Sequence, residues 1–115
     1  MVIESVKYML MVQNMDRAIR FYRDVLGLKL AFESPEWTEL TFGSAIVALH
    51  GGGTGSYRKT GLSLQVKDLA AACREVDSGG GKVTSAPQTR PGEPIELAEV
   101  VDTEGNGFSL TQYVG

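Results

Sequence analysis

Long apolar runs are missing from this sequence: no stretch of about 18 apolar residues occurs, so no helix is expected to span a membrane. Basic residues are few and scattered, 11 against 14 acidic ones for a net charge of −3. Without a basic stripe nothing grips a phosphate backbone, which argues against nucleic acid as a partner. The weak negative charge leans instead towards a cationic small molecule. Cysteine is reduced to Cys73 alone, which cannot pair within the chain and suits a reducing cytoplasm. The opening MVIESVKYML carries an acidic residue early and lacks an apolar h-region, so it reads as the approach to a strand and not as a signal peptide.

What is present is ordinary for a globular protein, 43% hydrophobic and 22% charged over 115 residues, enough for one domain with a real core. The strongest pattern is a duplication at a shift of 54 positions. Leu10 then meets Leu64, Val12 meets Val66, Asn14 meets Asp68, Met15 meets Leu69, Ala18 meets Ala72, and Gly27 meets Gly81. Each half reads as a strand, a polar helix cap, a helix, a glycine stop and further strands.

Residues 3–13 alternate, placing Val6, Tyr8, Leu10 and Val12 on an apolar face, opposite Lys7, Met9, Met11 and Gln13. Asn14 is the expected N-cap, Met15, Ala18, Ile19, Tyr22, Val25 and Leu26 recur at helical spacing, and Gly27 supplies the left-handed stop. In the second half Leu62, Leu64 and Val66 alternate, Asp68 caps, Leu69, Ala72, Cys73 and Val76 form the helix stripe, and Gly79 to Gly81 end it. Further strands are expected at roughly 28–34, 36–42, 45–50, 82–86, 95–101 and 107–114. The reading is thus one domain over 1–115, with module one about 1–52, a mobile glycine-rich connection about 51–59 and module two about 60–115. The connection lacks the strand–GxxxxGK[ST]–helix order of a phosphate loop.

Two tandem βαβββ units resemble the vicinal oxygen chelate superfamily, the glyoxalase/bleomycin resistance protein/dioxygenase class. The likeness is carried by MVQNMDRAIRFYRDVLGLKL and by VVDTEGNGFSL, similar to that family's DPDGN-type hairpin, with Thr103 in place of proline and Glu104 in place of aspartate. It covers nearly the whole chain. The resemblance implies an α+β fold in which eight strands of a cupped mixed sheet carry their helices outside. It also implies a pocket in the cup and a homodimer that completes it.

On that cup the alternation turns Lys7, Met9, Met11, Ala48, His50, Ser63, Gln65, Ser109, Thr111 and Tyr113 towards the ligand, with Gly61 among them. Trp37, Glu39 and Thr41 join them if Leu40 and Phe42 belong to the core, and Glu99 is a further candidate. Enzymes of the family hold a divalent metal through His, Glu or Gln side chains on the first, fourth, fifth and eighth strands. The matching positions here are Lys7, Ala48, Gly61 and Ser109, a set that offers one cation, two side chains without a donor atom and one neutral hydroxyl. No metal or other cofactor is therefore expected at the usual place. His50, Glu39 and Lys7 are the candidates for acid–base chemistry, although a lone strand-end histidine is more often structural. Lys7 is expected to pair with Glu39 or Glu99, or to meet an anionic ligand group. Cys73 reads as a buried apolar residue. The resulting expectation is a cytoplasmic, metal-independent binder of a small molecule, concerned with drug or metabolite sequestration as in antibiotic resistance. The alternative is a lyase, isomerase or dioxygenase using a displaced metal site or metal-free proton transfer.

Overall fold

The computed structural model describes residues 1–115, and the duplication in the sequence becomes a duplication in space. The elements run β1 (Lys7–Val12), α1 (Met15–Arg20) widening into a π-helical turn (Phe21–Val25), β2 (Lys29–Phe32), β3 (Trp37–Phe42) and β4 (Ala45–Gly51). The second half repeats them as β5 (Arg58–Gln65), α2 (Leu69–Ser78), β6 (Lys82–Thr89), β7 (Ile95–Val101) and β8 (Asn106–Tyr113). Two four-stranded mixed sheets result, ordered β1-β4-β3-β2 and β5-β8-β7-β6. Only the β1–β4 and β5–β8 pairs are parallel, each bridged by the long connection that its helix begins.

The helix caps follow from residue chemistry. Asn14 Oδ1 accepts from the Arg17 N–H at 3.0 Å and Asp68 Oδ1 from the Ala71 N–H at 3.0 Å, each satisfying a backbone donor with no partner inside its helix. Gly27 takes φ +80° at the first stop, and α2 ends on Gly79 with Gly80 at φ +99°. One buried cluster draws on both halves: Leu10, Val12, Ile19, Phe21, Tyr22, Leu40, Val47 and Leu49 join Leu62, Leu69, Val76, Val100, Phe108 and Leu110. Tyr22 contacts Phe108 across the halves, with ring centroids 6.4 Å apart.

Three core expectations are corrected. Val6 is 77% exposed and precedes β1, Tyr8 is exposed with its hydroxyl facing the Gly61 N–H, and Phe42 is 76% exposed at the end of β3. Alternation tells which side of a strand a residue takes; it does not tell how far the covering helix reaches, and here cover along β1 is complete only at Leu10 and Val12. The connection expected to be mobile is laid against both halves: Gly53 N–H donates to Val12 O at 2.9 Å and Arg58 N–H to Gly105 O at 2.8 Å. A Cβ on Gly53 would stand 2.9 Å from the backbone of Val12, so this glycine serves close approach.

Candidate functional site

The register of sheet one decides which residues share its uncovered face. Met9 pairs with Ala48 and Met11 with His50, while across β4 Glu39 pairs with Ala48 and Trp37 with His50. Directly paired residues point the same way, so Lys7, Met9, Met11, Trp37, Glu39, Ala48 and His50 lie on one face, together with Thr41 and Ile46. Leu10, Val12, Thr38, Leu40, Val47 and Leu49 take the other face and are buried. The ambiguity in β3 is thereby resolved, with Leu40 in the core and the half-buried Trp37 on the open side.

Polar contacts on this face converge on Glu39. Its Oε2 accepts from Lys7 Nζ at 2.8 Å and from Trp37 Nε1 at 2.8 Å. Lys7 Nζ also stands 5.9 Å from the Trp37 ring centroid, and the Trp37 and His50 rings meet edge to face at 5.8 Å. The Lys7 and Trp37 hydrogen bonds hold the Glu39 carboxyl below the usual carboxylate range, against the opposing effect of burial. Lys7 thus takes the first of its expected partners, Glu39. His50 turns Nδ1 towards the Gly51 carbonyl, which leaves Nε2 as its remaining nitrogen. Of the three acid–base candidates, only Lys7 and Glu39 touch.

The second set lies on sheet two. Ser63 pairs with Ser109, Gln65 with Thr111, Glu99 with Ser109, and Ile95 with Tyr113. Ser63, Gln65, Ser109, Thr111 and Tyr113 therefore share a face with Glu99, and Ser109 Oγ donates to Ser63 Oγ at 2.8 Å. Sequence reasoning passed over Ile46, and over Ile95 and Leu97 on β7. Alternation in β7 is blurred because Ile95 and Leu97 interleave with Ala98 and Val100, leaving both parities apolar. The expected ligand residues are thus gathered into two groups, one on each sheet. The largest hollow, about 650 Å³, belongs to neither: it is open and polar, bordered by Gln13, Asn14, Asp16, Glu33, Ser34 and Pro35.

The four positions at which the family resemblance places metal ligands do not suit one. Lys7 is engaged by Glu39, Ala48 and Gly61 bring no donor atom, and Ser109 is bonded to Ser63. No three His, Cys, Asp or Glu side chains come together within the chain. Cys73 is buried and burial pushes its thiol up, away from the thiolate a nucleophile needs.

A buried polar cluster that the sequence reading left without a role joins the two halves. Glu104 Oε1 accepts from the backbone N–H groups of Gln13 at 3.0 Å and Asn14 at 2.8 Å, and its Oε2 from Arg17 Nε at 2.7 Å. Asp102 accepts from Tyr22 Oη at 2.6 Å and from the N–H groups of Glu104 and Asn106, at 2.7 and 2.9 Å. The hint in the sequence was the long Glu104 at a hairpin position where aspartate is usual.

Comparison with known proteins agrees with this architecture. The family model of the Glyoxalase/Bleomycin resistance protein/Dioxygenase superfamily matches residues 5–110. A lactoylglutathione lyase from Haemophilus influenzae is 31% identical over an alignment of 117 positions, covering 84% of this chain and 83% of its own. One from Salmonella typhimurium is 31% identical and covers 90% and 88% respectively. Among solved structures, a superfamily member from Sphaerobacter thermophilus superimposes with a TM-score of 0.80 at 21% identity, covering 96% of this chain and 98% of that one. An antibiotic binding protein from a Streptomyces species gives 0.77 at 22% identity, with 97% of each chain covered. These structural likenesses bear on the fold. No helix is long and apolar enough to cross a membrane.

Proposed function

The chain belongs to the glyoxalase/bleomycin resistance protein/dioxygenase superfamily, and on that premise we propose that it binds a small molecule without a metal. The observation that carries this reading is the donor set: Lys7, Ala48, Gly61 and Ser109 stand where the resemblance places four ligands, and the one charged member is a cation already paired with Glu39. The wall formed by Met9, Met11 and Trp37 suits a planar apolar group, and Ser63, Gln65, Ser109 and Thr111 suit a hydrogen-bonding one. An amphipathic drug or metabolite would use both. The antibiotic binding protein of the same fold makes that ligand class a sensible first screen. Purified without chelators, the protein is expected to contain far less than one divalent metal per chain and to lack lactoylglutathione lyase activity. Stoichiometric Ni, Zn, Fe or Mn that disappears in His50→Ala or Glu39→Ala would overturn the proposal.

A second reading is a lyase of the superfamily, favoured by the two lyases at 31% identity. It would need His50, Glu39 or Lys7 to act through a displaced metal or directly in proton transfer, and lactoylglutathione lyase activity lost in Glu39→Ala or His50→Ala would favour it.

The pocket, on this proposal, is completed by a second copy of the chain in the cytoplasm. The proposed ligand face of sheet one is open, and Met9 on it is 50% exposed. Light scattering at micromolar concentration is expected to give twice the chain mass of 12.4 kDa. A monomer would sink the shared pocket.

A further inference from the structure

Within the binding face just proposed, the arrangement around Glu39 carries a more specific inference, which rests on that reading. Lys7 on β1 and Glu39 on β3 are separated by the whole of β4, roughly 10 Å at two strand spacings. A long side chain is needed to close that gap, and Lys7 Nζ does so, ending 2.8 Å from Glu39 Oε2. The residue of β4 paired with Glu39 is Ala48, whose methyl group competes for no polar contact. The same Oε2 holds the Trp37 indole N–H at 2.8 Å, so one carboxylate fixes both the cation and the aromatic ring of the face. Lys7 retains 39% side-chain exposure and Glu39 19%, so the pair is accessible to a ligand.

We propose that Glu39 is a specificity-determining residue: it withholds Lys7 from anionic ligands and orients Trp37, so the face selects planar ligands that are neutral or cationic. A ligand carboxylate seeking Lys7 has to displace a carboxylate already seated, and it meets the Glu39 charge while doing so. A neutral ring pays neither cost and finds Trp37 held by its N–H. Replacing Glu39 by Gln keeps an acceptor for the indole but removes the charge that occupies Lys7. The substitution is therefore expected to change which ligands bind more than whether a ring binds.

Trp37 is the only tryptophan, so its indole N–H gives a single resolved cross-peak in a nitrogen–proton correlation spectrum. Three probes of one shape suffice: naphthalene-2-methylamine, naphthalen-2-ylmethanol and 2-naphthoate. In the unaltered protein the amine and the alcohol are expected to shift that peak at concentrations on the order of fivefold lower than the naphthoate, the scale of a partly exposed charge pair. In Glu39→Gln the naphthoate is expected to gain about fivefold relative to the alcohol, and adding Lys7→Met should abolish that relative gain. Loss of affinity for all three probes alike in Glu39→Gln, with the spectrum otherwise intact, would mark a merely structural residue and overturn the inference. Equal binding of all three by the unaltered protein would overturn it too, while leaving the binding face standing. If none of the probes moves the Trp37 peak, the face is not a ring-binding site and the inference falls with it.

Discussion

Glu104→Ala is expected to destabilise the protein by about 3 kcal/mol, because it takes the buried carboxylate away from the partly exposed Arg17 and strips partners from backbone donors at the same time. Glu104 is only 3% exposed and joins the β7–β8 hairpin to the start of α1. Its removal leaves the Gln13 and Asn14 N–H groups and Arg17 facing an apolar methyl. Burial alone would raise the Glu104 carboxyl, but the bonds from Arg17, Asn14 and Thr103 outweigh it and hold it below the ordinary range. A depressed folded-state value means that the contribution is complete above the unfolded value of about 4.3 and is lost as the pH falls through the folded value. Arg17, held up chiefly by its bond to Glu104, stays charged throughout that window. Urea unfolding at neutral pH should show the loss, and Glu104→Gln should flatten the acid limb of the stability curve. A loss under about 1 kcal/mol would mean that the clamp is no stronger than an exposed pair.

Gly105→Ala should cost about as much, and the reason is separable from the reason for most glycine substitutions. Gly105 has φ +92°, and a Cβ there would lie 2.5 Å from the carbonyl oxygens of both Gly55 and Ser56. The connection would have to lift away from the hairpin, which also endangers the Arg58 N–H bond to Gly105 O. Gly92 is the control: its φ is +81°, yet nothing stands within 4 Å of a Cβ placed there. Gly92→Ala is therefore expected to lose only the left-handed strain, about 1 kcal/mol, and Gly105→Ala about three times that. Equal losses at the two positions would show that the close approach of hairpin and connection contributes nothing.

Glu104→Ala strikes a contact by which one half is seated against the other, and Gly105→Ala strikes the contact of the hairpin with the connection.

The duplicated pattern, the two N-caps at Asn14 and Asp68, and the glycine stop at Gly27 were all legible in the sequence, because each is a local arrangement of a few residues in chain order. The side of each strand was legible wherever one parity was plainly apolar, as with Leu10 and Val12 or Leu62 and Leu64. So were the residues that stand where the resemblance places metal ligands, Lys7, Ala48, Gly61 and Ser109, once that resemblance had been drawn. Other features needed the folded chain. Val6, Tyr8 and Phe42 continue the apolar patterns but lie beyond their cover, since the extent of a helix layer is set by packing and not by alternation. The choice of Glu39 over Glu99 as the partner of Lys7 depended on strand order: β3 lies in the same sheet as β1, one strand away across β4, while Glu99 belongs to the other sheet. The Glu104 clamp joins residues about 90 positions apart. No local rule foresees such a contact, because the free energy that selects it comes from burying both halves against each other.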